Sequence, residues 1–389
     1  MKDYKEDNFL KFRKFGKLNW EVSALGFGTM RLPIKDDKVS GPDIDEDNAI
    51  KMIRYAIDKG VNYIDTAWPY HGGNAEILVR KTLQDGYRGK VKLATKLPSW
   101  LIKSVEDMDM FLDKQLEKLQ TDYIDFYLLH ALNKKCWENY KKLSIFEWTK
   151  KVLNQGKIKH IGFSFHDDYN TFKDIIDAYD WDLCQIQYNY LDIDYQAGRR
   201  GLKYAAEKGI AVVIMEPLRG GILAGNMPEQ IQDIFNEAKT KRSTVDWALQ
   251  WLWNQPEISV VLSGMSTMEQ VKENIESADK AAINSLSNEE LQLIRKTADC
   301  YKELSSIPCT GCGYCIPCPN GVDIPNNFKI YNEARLHNIF KKKVIEYFTW
   351  GKEARAANCV SCGKCEKLCP QKLKISQLLK DVVEYFESA

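Results

Sequence analysis

The sequence predicts an α/β chain: a (β/α)8 barrel over residues 1–304, then a small, mainly α-helical domain over residues 305–389. Three observations lead there. From about residue 20 to residue 280, short β-rich runs alternate with amphipathic stretches of helical period. The first run lacks the glycine fingerprint of a doubly wound nucleotide fold, because Gly26-Phe27-Gly28 is followed by Thr-Met-Arg-Leu-Pro with no third glycine. Eight of the eleven cysteines lie between Cys309 and Cys369, in two groups of four.

The predicted strands are Leu25–Met30, Val61–Asp65, Val91–Lys96, Tyr123–His130, Ile158–Ser164, Leu183–Tyr188, Ile210–Met215 and Ile258–Ser263. Helical periodicity marks stretches between them, among them Asp47–Lys59, Ala75–Gln84, Val105–Leu119, Ile145–Asn154, Leu202–Lys208, Thr244–Asn254 and Met268–Ser277. Repeated β–α units imply parallel strands joined by right-handed crossovers. Eight units in roughly 260 residues suit a closed TIM barrel better than an open sheet. A run at Asn288–Leu304 leads out of the barrel, and the boundary falls near Ser305–Pro308. Asn326–Phe348 reads as one or two helices, and Ile375–Phe386 as another.

Composition narrows the setting. The chain has 389 residues, 44% of them hydrophobic, and a formal net charge of +1, so neither a nucleic acid nor a membrane surface is an expected partner. The charged start, residues 1–16, has no apolar signal-peptide core, and no apolar run reaches the roughly 18 residues of a membrane span. A soluble, cytoplasmic protein is the expectation. Clustered thiols in such a chain point to metal rather than disulfides.

Catalytic groups of a barrel sit at the C-terminal ends of its strands. Asp65 ends one predicted strand and Tyr70 follows in Trp68-Pro-Tyr-His-Gly-Gly73; Lys96 and His130 end the next two. In this order and spacing the four residues resemble the Asp, Tyr, Lys and His tetrad of the aldo-keto reductase family. The resemblance covers about residues 12–280 and extends to Phe15–Leu32, which is similar to that family's N-terminal hairpin and first strand. It implies reduction of an aldehyde or ketone with NAD(P)H. Nicotinamide supplies a hydride, and the carbonyl oxygen needs a proton. A phenol is a poor acid at neutral pH, and a nearby ammonium favours its phenolate. In this reading Tyr70 is the general acid, Lys96 assists it, Asp65 holds Lys96, and His130 polarises the carbonyl.

The resemblance also implies cofactor contacts. They are Gly28, Thr29, Met30 and Asp65 at the first two strand ends; Ser164 and Gln185 at the carboxamide; and Met215, where many members place an aromatic ring. Pro217, Leu218, Arg219 and Gly220 match the pyrophosphate loop, and Ser263, Gly264, Met265, Ser266, Gln270 and Asn274 the adenosine end. Phe165 replaces the Asn that usually follows the carboxamide Ser, and Gln270 replaces the Arg that commonly reads a 2′-phosphate, so NAD(H) and NADP(H) both stay open. Phe27, Trp68, Trp100 and Tyr190 are candidate pocket aromatics. His71 and His166 are expected to make local hydrogen bonds.

The cysteine groups read Cys309-Thr-Gly-Cys312-Gly-Tyr-Cys315-Ile-Pro-Cys318-Pro and Cys359-Val-Ser-Cys362-Gly-Lys-Cys365-Glu-Lys-Leu-Cys369-Pro. The second is a full C-x2-C-x2-C-x3-C-P run of the two-cluster ferredoxin kind, and the first is one residue shorter before its fourth cysteine. In such runs three cysteines hold one [4Fe-4S] cubane and the fourth ligates the other. That pairs Cys309, Cys312 and Cys315 with Cys369, and Cys359, Cys362 and Cys365 with Cys318. Structural zinc also uses C-x2-C pairs and is the rival. The helical spacer resembles the α-helical ferredoxin domains of fumarate reductase-type subunits. The expected cofactors are therefore two [4Fe-4S] clusters and NADP(H) or NAD(H); a flavin would let hydride and single-electron chemistry meet, but no flavin motif is evident. A ferredoxin or other redox protein is a candidate partner beside the small carbonyl substrate. The alternative function is ferredoxin-linked electron transfer, with the barrel a docking or nucleotide-binding module.

Overall fold

The computed structural model describes residues 10–35, 41–225, 227–304, 307–336, 340–349 and 351–387. Its chain forms two compact units: one comprises the residues up to Pro217 together with Ala248–Leu286, the other Leu218–Trp247 with Ser287–Ala389.

The first unit opens with an antiparallel hairpin, β1 (Phe12–Lys14) and β2 (Glu21–Ser23). Eight parallel strands follow: β3 (Leu25–Gly28), β4 (Tyr63–Asp65), β5 (Lys92–Leu97), β6 (Ile124–Leu132), β7 (Ile158–Phe165), β8 (Leu183–Gln187), β9 (Ala211–Met215) and β10 (Ile258–Gly264). They pair in chain order, and β10 returns to β3 to close the barrel. The TIM barrel expected from the alternating pattern is thus present. Each strand overlaps its predicted run, and β3 stops two residues early because Thr29–Arg31 turns into a short 3-10 helix.

Most helices between strands overlap the periodic stretches, while Lys134–Lys142, Tyr169–Asp177 and Glu229–Asn236 were not singled out from the sequence; several are capped by their own sequence. Val105–Leu119 begins at Ser104, whose hydroxyl accepts from the Asp107 amide while Asp107 accepts from the Ser104 amide, a reciprocal capping box. Asp168 and Thr267 cap Tyr169–Asp177 and Met268–Asp279 in the simpler way.

The hairpin closes the bottom of the barrel. Phe15 is fully buried among the inward residues Tyr63, Phe126, Leu183, Ala211, Val213 and Val260. Its ring centroid lies 4.8 Å from Phe126 and 5.9 Å from Tyr63. The next residue, Gly16, has φ +56°, and a Cβ there would stand 2.5 Å from both Ala211 N and Gly209 O, so only glycine lets the hairpin sit this close.

In the second unit, helices Ile324–Leu336, Phe340–Thr349 and Ile375–Glu387 enclose a core of Ile324, Phe328, Tyr331, Tyr347, Leu379, Val382 and Phe386. The first two take up the predicted spacer, and Phe340–Thr349 begins after residues 337–339, which lie outside the described set. Two asparagines on Ile324–Leu336 clip the approaches to the cysteine motifs. The Asn332 amide accepts from Ile307 N at 2.7 Å and donates to Ile307 O at 2.8 Å, two residues before Cys309. The Asn327 amide donates to Ala354 O and accepts from Ala356 N, just ahead of Cys359. Helix Asn288–Glu303 and the segment after Pro217 also belong to this unit. Of the expected domain boundary, Ser305 and Ser306 lie outside the described residues. Among the described residues no helix is long and apolar enough to cross a membrane.

Phe15→Ala should leave a cavity at the barrel floor and cost about 3–5 kcal/mol, the range for buried Phe truncations. Urea unfolding of the barrel signal measures it; a midpoint equal to wild type would show that the hairpin does not plug the barrel.

Candidate functional sites

At the barrel's C-terminal mouth, β4 ends on Asp65, β5 presents Lys96 one residue before its end, and β6 presents His130. Tyr70 starts a tight turn, Tyr70–Gly73, in which His71, Gly72 and Gly73 all have positive φ. His71 anchors that turn: its Nε2 accepts from Leu32 N, and its Nδ1 lies 2.8 Å from Gly41 O. The four residues come together. Lys96 is 1% exposed, and its Nζ donates to Asp65 Oδ1 at 2.6 Å, to Thr66 O at 2.8 Å and to the Tyr70 hydroxyl at 3.5 Å. The Tyr70 and His130 rings lie edge to face, 6.1 Å apart.

Burial sets the protonation. It pushes the Asp65 carboxyl up and the Lys96 ammonium down, and each group's charge opposes the other's shift. Burial, then the charges of Lys96 and His166, hold His130 well below the usual imidazole range. His130 is therefore neutral at neutral pH, and the positive charge of the site rests on Lys96.

A second set of residues, not singled out from the sequence, fixes Lys96 from behind. Gln115 Nε2 donates to Lys96 O at 3.1 Å and to Glu76 Oε1 at 2.5 Å. Thr95 also donates to Glu76, and Tyr127 to Gln115. Lys118 joins Glu76 to Gly73 O in the Tyr70 turn. Glu76 is fully buried, and burial raises its carboxyl. The one available signal was an acidic residue amid Ala75, Leu78 and Val79, the buried side of helix Ala75–Thr82.

The expected carboxamide residues lie on neighbouring strands. Ser164 Oγ accepts from Ala131 N at 2.7 Å, which leaves its own proton to donate. Gln185 is buried, and its Oε1 has no hydrogen-bond partner among the described residues. A buried amide oxygen in that condition suits a ligand N–H. Gly28, Thr29 and Met30 lie at the top of β3, where Thr29 Oγ1 donates to Asp65 O. Met215 ends β9 and Pro217 closes this unit's first segment.

At the foreseen adenosine end, Asn274 donates to Ser263 Oγ, Met265 is buried, and Gln270 accepts from Ser266 N across the start of helix Met268–Asp279. Gly264 lies under Arg31, whose guanidinium pairs with Glu216 at 3.7 Å. That ion pair between the ends of β3 and β9 had no motif to announce it. Leu218, Arg219 and Gly220 fall in the other unit.

Of the four foreseen aromatics, Trp100 packs 5.1 Å from His130, Trp68 packs against Phe111 and Lys118, Tyr190 lies 6.3 Å from Trp251, and Phe27 is buried. His166 Nδ1 lies 3.2 Å from Gln196 Oε1.

In the second unit the two cysteine motifs share one backbone design. Gly311 and Ser361 both take positive φ, and their amides donate to Cys309 Sγ and Cys359 Sγ, each at 3.4 Å. Gly313 and Gly363 take positive φ just after Cys312 and Cys362. Cys309, Cys312, Cys315 and Cys369 line one cavity, although Cys369 is distant in sequence. Burial raises the Cys315 thiol, and Cys312, Cys309 and Cys369 add to the rise. Four thiols whose negative charges oppose one another deprotonate together only around a cationic guest, and an iron–sulfur core is such a guest. Cys318, Cys359 and Cys365 pack against the same helical core.

The same loop architecture ties the first motif to the segment that leaves the barrel. Gly220, at φ +65°, lies so close to Thr310 that a Cβ would stand 2.3 Å from its carbonyl oxygen. Tyr301 OH reaches Ile222 O at 3.4 Å.

Comparison with known proteins identifies both parts of the chain. Residues 24–299 match the aldo/keto reductase family and residues 308–373 a 4Fe-4S dicluster domain. The chain is 27% identical to L-galactose dehydrogenase of Arabidopsis thaliana, over 76% of this chain and 97% of that protein. It is 26% identical to the NADH-specific methylglyoxal reductase of Escherichia coli, over 73% and 97%. An aldo-keto reductase from Klebsiella pneumoniae in complex with NADPH superposes with a TM-score of 0.61 at 26% identity, covering 74% of this chain and 95% of that one. The chain belongs to the aldo/keto reductase family and carries a 4Fe-4S dicluster domain behind its barrel.

Proposed function

We propose that the protein reduces an aldehyde or ketone to an alcohol at the mouth of its barrel, and that Tyr70 gives the proton. One observation carries this reading: a buried lysine whose Nζ reaches both the Asp65 carboxylate, at 2.6 Å, and the Tyr70 hydroxyl, at 3.5 Å. A bound reduced nicotinamide supplies the hydride. Tyr70 passes its proton to the carbonyl oxygen, and Lys96 stabilises the charge left on the phenol oxygen. Asp65 keeps Lys96 charged. His130, neutral, donates to the same carbonyl oxygen and polarises it. In the oxidative direction Tyr70 takes the proton back.

The proposed cofactor contacts are Gln185 and Ser164 on the carboxamide, Met215 beside the nicotinamide, Pro217, Leu218, Arg219 and Gly220 along the pyrophosphate, and the residues from Ser263 to Asn274 at the adenosine. Gly28, Thr29 and Met30 complete the set. Gln270 offers an amide where a 2′-phosphate would prefer a guanidinium. The names of the relatives point both ways, one to NADH and one to NADPH.

The barrel chemistry is assigned to residues 1–304 and the cluster chemistry to residues 305–389, which the two family matches support. Cys309, Cys312, Cys315 and Cys369 would hold one cubane, and Cys359, Cys362, Cys365 and Cys318 the other. A cubane supplies a one-electron site. A hydride carries two electrons, so the two domains run separate chemistries unless a partner links them. Eight of the eleven cysteines fall in two metal-binding motifs, which supports a reducing, cytoplasmic setting.

Tyr70→Phe should lower carbonyl reduction by about 10²–10⁴-fold, the usual contribution of general acid catalysis. Dinucleotide affinity, read by fluorescence titration, should stay near wild type. Turnover within about threefold of wild type would overturn the assignment.

Fresh anaerobic protein should contain about eight iron and eight sulfide per chain, the sum of two cubanes. Cys369→Ser should damage the cluster of the first motif, as read by iron analysis and by EPR of the reduced protein. About four iron per chain in the wild type, or loss confined to the second motif's cluster, would contradict the cross-ligation.

A further inference from the structure

We propose that the surface around the second cysteine motif is the docking face for an acidic one-electron carrier protein, such as an acidic ferredoxin. The inference rests on the reading that this motif holds a cluster, and it names where that cluster meets its redox partner.

The two motifs present opposite surfaces. Residues 307–322, which contain the first, carry no Asp, Glu, Lys or Arg, and Thr310 is buried with its carbonyl packed on Gly220. Residues 351–374, which contain the second, carry Lys352, Arg355, Lys364, Lys367, Lys372 and Lys374 against only Glu353 and Glu366. Six minus two leaves +4 on a segment of a chain whose net charge is +1. All five lysines are exposed. Local hydrogen bonds fix the backbone of the segment: Asn358 donates to Lys352 O and Glu353 O, and Glu366 accepts from Ser376 N.

The same segment exposes apolar side chains: Val360 is 67% exposed and Leu368 53%, and Cys362 is the one exposed cysteine of the eight in the two motifs. Val360 lies between Cys359 and Cys362, and Leu368 precedes Cys369. A segment that combines exposed charge of one sign with a few exposed apolar side chains suits a weak, fast encounter with a partner of the opposite charge. The segment contains no aromatic residue on which a nucleic-acid base would stack. The cluster that Cys359, Cys362, Cys365 and Cys318 would hold would take one electron as the carrier is oxidised by one, with no bond made or broken.

The test uses the full holoprotein and a reduced acidic ferredoxin as probe. Stopped-flow bleaching gives the rate of reduction, and calorimetry with the oxidised carrier gives binding. The Lys364→Glu/Lys367→Glu variant should lower the second-order rate at low salt by about tenfold or more, as expected when electrostatic steering is reversed. The gap should close as salt screens the charges. Photoreduced deazaflavin, a small reductant, should reduce both proteins alike. If that variant loses iron, Lys352→Glu/Lys374→Glu, further from the cysteines, decides by the same measurements. Binding does not require electron transfer, so fresh anaerobic protein that holds no iron yet binds the carrier through these lysines would sink the cluster reading and keep the docking face. A rate and affinity within about twofold of wild type at low salt would overturn the proposal. So would tighter retention of anionic vesicles or duplex DNA than of the carrier.

Discussion

The barrel mouth is organised around a lysine that has been taken out of water. An ammonium buried to this degree loses its hydration and stays charged only with a carboxylate and carbonyl oxygens at hydrogen-bond distance. Asp65 and Thr66, at the end of β4, provide them. Much else at this end of the barrel serves that geometry. Gln115 holds the Lys96 carbonyl, Glu76 holds Gln115 and Thr95, and Lys118 ties Glu76 to the turn that carries Tyr70. Two carboxylates and two lysines are thus interleaved behind one phenol. The result is a half-buried phenol whose oxygen lies 3.5 Å from the nitrogen of a buried lysine, where electrostatic effects are stronger than in water.

The second unit solves a different problem. Its core is small, and its two cysteine motifs are set by backbone turns that only positive φ allows, with each approach clipped by a buried asparagine on one helix. Such a scaffold prepares thiols for a metal centre whose binding then adds cohesion. Its two ends differ in character, one uncharged and packed on the segment after Pro217, the other basic and open. Under the proposed function, two-electron hydride chemistry and one-electron cluster chemistry are incommensurate, and the proposed carrier would serve the second at the basic face of this unit.

The fold was legible because its signals are periodic. Strand runs ending in Asp65, Lys96 and His130 had to share a rim once the barrel closed, and the cysteine spacing was an explicit code. The helices Val105–Leu119 and Ile145–Asn154 end where their periodicity ends. What the sequence withheld depends on three-dimensional neighbours. Glu76 looks like one more charged residue on an amphipathic helix until burial places it against Thr95 and Gln115. Arg31 and Glu216 are far apart in the chain and meet only because β3 and β9 both flank β10. The excess of exposed lysines in the second motif's segment is diluted to +1 in the whole-chain charge, and it becomes visible only when the two motifs are compared segment by segment.

The central claim is that Asp65 keeps Lys96 charged beside Tyr70, and the pH dependence of kcat/KM in Asp65→Asn tests it most directly. Burial pushes the Lys96 ammonium down, and Asp65, ahead of Glu76, pushes it back up. Without Asp65 the lysine should lose its proton at lower pH. The variant, confirmed as folded by circular dichroism, should therefore be slow at neutral pH and regain rate as the pH falls, with its alkaline limb displaced to lower pH than in wild type. A pH profile superimposable on that of wild type, at a similar rate, would contradict the account.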